Sequence, residues 1–142
     1  MPTVELRFTA LPAHVRTARL VATAVARRCG LGEAVLDEVR LAVGEACSRA
    51  VHLHRRYCPE RPVLVTLVDD DSTFRVAVAD EAPALDEPEG DLGDLAAVAD
   101  LDGEAVPPGV SLAVISGLVD DISVEPGRDG GVVVRMSWST SG

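Results

Sequence analysis

An amphipathic helix runs through the segment LAVGEACSRA at residues 41–50. Its apolar side chains recur at the 3.6-residue spacing of a helix that buries one face, and they are Leu36, Val39, Val43, Ala46, Cys47, Ala50 and Val51. A neighbouring stripe at i, i+3 and i+4 spacing is chemically mixed and consists of Glu38, Ala42, Glu45, Arg49 and His52. We predict a helix from about residue 33 to about residue 54, because Pro59 and Pro62 follow it.

Shorter periodic segments on either side of this helix define the fold class. The predicted strands cover residues 4–8, 63–68, 74–79, 122–124 and 132–138. The other predicted helices cover about 12–30 and 109–119. The turn 69–72 joins the second and third strands into a hairpin. This order predicts an α+β fold, a two-layer α/β sandwich with helices on one face of a mainly antiparallel mixed sheet.

Composition bounds the class of protein. The chain has 142 residues, 47% hydrophobic and 25% charged, so we expect a single folded domain over residues 1–142. Thirteen basic and 23 acidic residues give a net charge of −10, which argues against direct binding to nucleic acid or to an anionic membrane. All of the basic residues are arginines, and the chain contains no Asn, Gln or Lys. No site can therefore use an asparagine amide or a lysine ammonium.

The cysteines and the hydropathy predict a protein of the reducing cytoplasm. Cys29, Cys47 and Cys58 are odd in number and fit no common zinc or redox spacing, so we expect free thiols. We recognise no signal peptide, and no apolar run reaches about 18 residues, so no transmembrane helix is expected. His52 and His54 precede Cys58, but no fourth ligand is spaced to join them, and we expect no metal site.

A long irregular segment, rich in proline and acidic residues, follows the third strand. We predict a lid-like loop at about 81–108, within which residues 92–98 could form a short helix. The loop is either a solvated lid remnant, a segment that fills a pocket, or a set of carboxylates for a basic partner. Three positions of unusual chemistry could line one pocket under it, namely the Glu45 stripe, the strand end at Asp80 and the turn at Gly109.

The segment 41–50 resembles the N-box of the GHKL ATPases, which share the Bergerat fold. The chain most resembles the small anti-sigma-factor serine kinases of bacterial partner switching, over nearly its whole length. The opening strand and helix, the strand that ends in Asp80, the helix after Gly109, the segment 120–122 and the terminal strand follow the family's order. The resemblance implies a Bergerat sandwich that commonly works as a homodimer.

The N-box differs from the family at one position. The family's glutamate, which positions or activates the attacking group, corresponds to Glu45, the implied catalytic residue if the chain is active. The family's asparagine, which holds magnesium, corresponds to Arg49, a cation that cannot ligate a metal. Without the resemblance, the i, i+4 spacing favours a surface ion pair worth about 0.3–0.5 kcal/mol. With it, we expect Arg49 to lie in the pocket and to neutralise Glu45.

Two glycine-containing motifs of the family, called glycine boxes below, also differ in this chain. The family's Asp-x-Gly-x-Gly corresponds to DEAPA at 80–84, which keeps the adenine-binding aspartate and replaces both glycines by alanine. The family's Gly-x-Gly-Leu, whose N–H groups meet phosphates, corresponds to GVSL at 109–112. The resemblance implies nucleotide-contacting positions at Arg49, Asp80, Ala82, Ala84, Gly109, Ser111 and Leu112. Asp80 could equally be an ordinary turn residue at a strand end.

These differences fall on residues that touch phosphate and magnesium, and they predict a pseudo-kinase with weak or no ATP use. The implied function is to bind a sigma factor, a STAS-domain anti-anti-sigma factor, or both. The family's partner surface lies around the first helix, where Arg16, Arg19 and Arg27 could pair with an acidic partner.

Two alternatives stay open at the level of sequence. In the first, the chain is an active serine kinase that phosphorylates a STAS-domain partner with ATP and magnesium. Glu45 would then be the base, and another metal ligand such as Asp80 would be required. In the second, the altered pocket senses a small anion through Arg49 and Ser111.

Overall fold

The computed structural model of the chain describes residues 3–70, 72–82, 113–127 and 130–140. The helices and strands of this part are β1 (Thr3–Phe8), α1 (Pro12–Arg28), α2 (Glu33–Tyr57), β2 (Val63–Asp70), β3 (Thr73–Ala79), β4 (Asp121–Pro126) and β5 (Val132–Ser139). Residues 113–116 add one helical turn. Every predicted strand is present, and each predicted boundary of the two long helices lies within about three residues of the observed one.

The five strands of the described residues form one sheet in the order β1-β2-β3-β5-β4, and all neighbours are antiparallel. Side chains on successive residues point to opposite faces of a sheet, so alternate residues are buried. The buried face carries Val63, Val65, Leu67, Phe74, Val76, Val78, Val134, Met136 and Trp138. Both long helices contribute to the same core as this face. The predicted α+β two-layer architecture is confirmed.

Helix α1 begins at Pro12, whose fixed φ suits a first helical position. Gly30 follows the helix with a φ of 93°, a conformation that favours glycine. Small side chains on the buried stripe of α1 allow close packing against α2. A Cβ added at Gly44 of α2 would lie 2.8 Å from Cδ of Arg19 of α1. The glycine of α2 therefore provides the space in which the stem of Arg19 lies.

The connection between the helical turn 113–116 and β4 is fixed by side chains. Trp138 donates its indole N–H to the Leu118 carbonyl at 2.9 Å, and the Asp120 carboxylate accepts the Ser139 N–H at 2.8 Å. The predicted helix 109–119 extended too far, because Gly117 and Leu118 form a turn after Ser116. Residues 109–112 lie outside the described residues.

The other face of the sheet carries a concavity of about 590 Å³. Small and apolar side chains such as Leu64, Ala77 and Val133 lie along it, with Arg75 and Arg135 among its polar residues. Each arginine pairs with an acid on the same sheet, Asp70 and Glu125 respectively, at 3.1 Å. This concavity is separate from the helix-covered side, where Arg49 and Asp80 lie.

Candidate functional site

A buried ion pair joins α2 to the end of β3. Arg49 donates from Nη1 to Oδ2 of Asp80 at 3.1 Å, across 31 residues of sequence. Only 2% of Arg49 and 3% of Asp80 is exposed. The stripe that carries Arg49 faces this junction, with Ala42 buried and Glu45 half-buried on the same side of the helix. The structure thus brings together two of the sequence-predicted site residues.

The other oxygen of Asp80 is held by backbone groups. Its Oδ1 accepts the N–H of Ala82 at 3.1 Å and the N–H of Val132 at 3.3 Å. The first of these is the i, i+2 bond of an Asx turn, so the turn role considered for Asp80 is confirmed. A Cβ at Gly131 would come within 2.1 Å of the Asp80 carbonyl oxygen, and the φ of Gly131 is 72°. Glycine at 131 is therefore required for β5 to approach this carboxylate.

His54, in the last turns of α2, is hydrogen-bonded to the backbone next to Asp80. The side chain is fully buried. Its Nε2 accepts the N–H of Glu81 at 2.8 Å, so the proton lies on Nδ1, which donates to the Arg61 carbonyl at 2.8 Å. Arg61 also forms an ion pair with the Glu81 carboxylate at 3.3 Å, and this pair is more exposed to solvent than His54. These contacts fix the backbone around Asp80 to α2.

Ala82 belongs to a small apolar cluster beside the ion pair. It is 4% exposed and packs with Leu53, Cys58 and Tyr57. A glycine at this position would leave that methyl group out of the cluster. The alanine therefore has a packing role in this chain.

The ion pair of Arg49 with Asp80 was not predicted from the sequence. We expected Arg49 to neutralise Glu45, which stays a prediction, and the structure shows a buried ion pair of Arg49 with Asp80 that we did not expect. The i, i+4 rule considers only one helix surface, whereas an arginine side chain is long enough to reach a neighbouring strand.

Comparison with known proteins decides the family. The family model described as a histidine kinase-like ATPase domain matches residues 8–138. The chain belongs to this family. Two relatives are the serine-protein kinases RsbW of Bacillus pumilus (strain SAFR-032) and Bacillus subtilis (strain 168), each 27% identical. The first match covers 94% of this chain and 83% of the relative, and the second covers 98% and 86%.

A solved structure shares the fold of this histidine kinase-like ATPase domain. The structure of the RsbU and RsbW domains of Rv1364c from Mycobacterium tuberculosis has a TM-score of 0.66 at 15% identity. The match covers 97% of this chain, which spans 32% of the solved chain. The predicted membership of the GHKL superfamily, on the branch of the anti-sigma-kinase-like regulators, is confirmed.

The remaining predicted site residues are divided between described and undescribed parts of the chain. Arg16 and Arg27 are exposed on α1, and Arg19 is half-buried over Gly44. Ala84, Gly109, Ser111 and Leu112 lie outside the described residues, as does the predicted lid beyond Ala82 and its possible helix at 92–98. The roles of all these residues stay predictions.

The thiols of this domain are free and protonated at neutral pH. Burial raises the pKa of Cys47 to about 12. Burial, together with a hydrogen bond to Asp69, raises the pKa of Cys29 to about 11. Cys58 is also raised in pKa, mainly by burial. All three cysteines are unpaired, as predicted.

The described residues hold no group of three metal-ligating side chains placed to share an ion. Both ring nitrogens of His54 are already bonded to the backbone, which explains why it cannot join His52 and Cys58 as a ligand. Burial, followed by Arg56 and Arg55, lowers the pKa of His52. In the part of the chain that the structure describes, neither long helix has an apolar stretch that could cross a bilayer.

Sequence reasoning missed the structural role of His54 and of the start of β5. A signal for His54 was present, because it continues the core stripe three residues after Val51 and four after Ala50. No comparable signal marked the contact between Val132 and Asp80, which are 52 residues apart. That contact depends on the antiparallel pairing of β3 with β5.

Proposed function

We propose that this protein is a protein-binding regulator of bacterial partner switching with weak or no use of ATP. It binds a sigma factor, a STAS-domain anti-anti-sigma factor, or both. The observation that carries the proposal is the buried Arg49–Asp80 ion pair, which lies where relatives are expected to hold nucleotide. Support also comes from the likeness to serine-protein kinases RsbW, which gives the family and not the activity of this chain.

The residues present do not fit a magnesium ion at the N-box. Magnesium prefers oxygen ligands in near-octahedral geometry. Arg49 has only N–H donors and a positive charge, and it stands where the family has its ligand. Its guanidinium is directed to Asp80, so the nearest buried carboxylate is already neutralised.

The residues do not fit adenine any better. An adenine amino group would have to compete with Arg49 for Oδ2, because Oδ1 already accepts two backbone N–H groups and only 3% of Asp80 is exposed. A hydrogen bond to a carboxylate contributes about 1.5–3 kcal/mol. Separating a buried ion pair costs about 3–5 kcal/mol when the remaining charge stays buried. The free energy lost by separating the ion pair is therefore larger than the free energy gained from the adenine hydrogen bond.

The alternative function is an ATP-dependent serine kinase acting on a STAS-domain partner. One observation favours it, since Glu45 keeps the family's position and is half-buried one turn from Arg49. Two relatives are also serine-protein kinases by name. Activity would require Arg49 to leave Asp80 and a metal ligand to come from another residue.

Anion sensing, the third reading, is less well supported. Arg49 is the cation on which that reading depends, and its guanidinium already neutralises Asp80. An anion would therefore compete with a buried carboxylate for the same N–H groups.

Calorimetric titration of the purified protein with Mg–ATP tests the main proposal. We expect no measurable heat and no shift in melting temperature, because Asp80 is occupied by Arg49. A ligand at 100 times its dissociation constant would stabilise the protein by about 2.7 kcal/mol, which a thermal scan detects easily. RsbW of Bacillus subtilis serves as the comparison protein in the same titration. Micromolar binding by the present chain would contradict the proposal and favour the kinase.

The proposal places the partner surface on α1 and includes a homodimer, as the family resemblance implies. Charge reversal by Arg16→Glu and Arg19→Glu should weaken capture of a STAS-domain or sigma partner at least tenfold. The reason is that an acidic partner would meet two like charges. The matched control reverses Arg55 and Arg56, which are exposed in the last turn of α2. Unchanged affinity in the α1 variant would remove this helix from the interface, and sedimentation velocity would measure the dimer independently.

A further inference from the structure

The two edges of the sheet differ in how well they are protected from pairing with a further strand. In the sheet of the described residues, β1 and β4 each have one neighbouring strand. An open edge is a template for further pairing, and proteins block such edges with proline and with charges. Strand β4 ends at Pro126, and both of its charged residues, Asp121 and Glu125, are acidic. Strand β1 contains no proline, so its edge lacks this protection.

The side chains of β1 are arranged symmetrically about Leu6, except that the charge changes sign. Glu5 precedes this leucine and Arg7 follows it, and both are exposed. Val4, Leu6 and Phe8 point to the opposite face and pack against the core, but they are only partly buried. The edge therefore leaves apolar surface in contact with water, and a further strand would cover it.

The charges of β1 have no counterpart on the neighbouring strand. The residues opposite Glu5 and Arg7 on β2 are Thr66 and Leu64, and neither is charged. Within the part of the chain that the structure describes, Glu5 and Arg7 form no ion pair. The two arginines of the concavity, by contrast, pair with acids of the same sheet at 3.1 Å. Two unpaired charges of opposite sign therefore lie on the edge strand.

Symmetry and burial restrict how two copies of β1 can pair. Identical strands related by a two-fold axis pair antiparallel, so the position of the axis sets the register. The axis has to pass through a residue rather than between two residues, because otherwise apolar and charged side chains would share a face. An axis at Glu5 or Arg7 places like charges opposite each other, and an axis at Val4 or Phe8 pairs fewer residues. An axis at Leu6 places Glu5 of each copy opposite Arg7 of the other.

We propose that two copies of this chain pair edge to edge through β1, with the two-fold axis at Leu6. Opposite charges on facing strands stabilise such a pairing, and like charges destabilise it. The inference rests on the proposed function for the existence of a homodimer, and it adds the strand and the register that form it. Pairing of two six-residue strands buries less than the roughly 1,600 Å² of a standard interface, so we expect a dimer that dissociates on dilution.

Charge reversal on β1 tests the register. Sedimentation velocity compares the wild-type protein with Glu5→Arg and with Arg7→Glu over a wide range of concentrations. Each variant places like charges opposite each other twice, so we expect its dimer to be at least tenfold weaker than the wild-type dimer. The matched controls, Glu33→Arg and Arg55→Glu, make the same changes of net charge on α2, outside the sheet. They should leave the dissociation constant unchanged.

Mixing the two single variants tests the pairing directly. Glu5→Arg carries two arginines on the exposed face of β1, and Arg7→Glu carries two glutamates there, so a mixed pair has opposite charges at both positions. We expect the mixture to form dimers as strong as those of the wild-type protein. The double variant Glu5→Arg/Arg7→Glu should also dimerise, since it restores both opposite pairs within one sequence. Recovery in the mixture also shows that each single variant is folded.

The possible results distinguish this inference from the proposed function. A dimer that both single variants retain would overturn the assignment to β1 and leave the proposed homodimer on another surface. A wild-type protein that stays monomeric would overturn both the inference and the homodimer, while titration with a STAS-domain or sigma partner would still measure the proposed partner binding. If the protein is monomeric and Glu5→Arg weakens partner binding, the edge pairs with a strand of the partner, and the commitment to a second copy is wrong.

Discussion

Replacing Asp80 by asparagine is expected to lower the free energy of unfolding by about 3–5 kcal/mol. The substitution keeps the size of the side chain and removes its charge, so the buried Arg49 guanidinium loses the Asp80 carboxylate as an ion-pair partner. Urea denaturation followed by tryptophan fluorescence measures the effect, because the single tryptophan, Trp138, is fully buried in the core. The midpoint should fall without a change in slope if the variant still unfolds in one step.

A surface ion pair provides the matched control for this experiment. Glu125→Gln removes the charge that pairs with Arg135 at 3.1 Å, where both side chains are more than half exposed. Such pairs contribute about 0–1 kcal/mol, since water screens them. Similar losses for Asp80→Asn and Glu125→Gln would contradict the structural importance that we assign to the buried pair.

The periodicity of apolar residues predicted most of the helices and strands, because an element that buries one face has apolar residues at regular spacing. The core stripe of α2 and the alternation of β2 and β3 are local patterns, and the predicted elements match the observed ones closely. The placement of β5 between β3 and β4 is a property of distant pairing. No local pattern encodes it, and no strand order was predicted from the sequence.

The candidate site was predicted less completely than the fold. The spacing alone favoured a surface ion pair for Arg49, whereas the family resemblance implied a pocket location, and the structure buries the residue. The contact of Arg49 with Asp80 was missed, because the spacing rule examines one helix whereas this contact crosses to the end of β3. His54 was considered only as a metal ligand, although the continuation of the core stripe already indicated burial. Long-range hydrogen bonds such as those of His54 and Val132 depend on the tertiary arrangement and leave little local signal.

The changed motifs and the ion pair both affect the proposed nucleotide site. Arg49 stands at the position of a metal ligand, and it also neutralises the carboxylate that would bind adenine. Ala82 adds a methyl group to an apolar cluster on the same segment. One substitution therefore affects both ends of the expected nucleotide, and a second stabilises the altered segment.

The variant Arg49→Asn is accordingly expected to show no ATP binding and no phosphotransfer by itself. Asparagine would restore the family's metal-ligand type and release Oδ2 of Asp80. Ala82 and Ala84 would still restrict the backbone that must approach the nucleotide, and Ser111 would still replace the second glycine of its box. Calorimetry with Mg–ATP and a phosphotransfer assay on a STAS-domain protein measure both activities. Strong phosphotransfer by this single variant would show that the glycines are not needed.

Combining Arg49→Asn with Ala82→Gly, Ala84→Gly and Ser111→Gly should raise Mg–ATP binding to the micromolar range. The combined variant restores the metal ligand, the free aspartate and the backbone freedom together. The control carries the three glycines and retains Arg49. It should stay without affinity, because the guanidinium still occupies Asp80. If the control binds ATP as well as the combined variant does, the ion pair is not what excludes nucleotide, and the glycine boxes alone decide it.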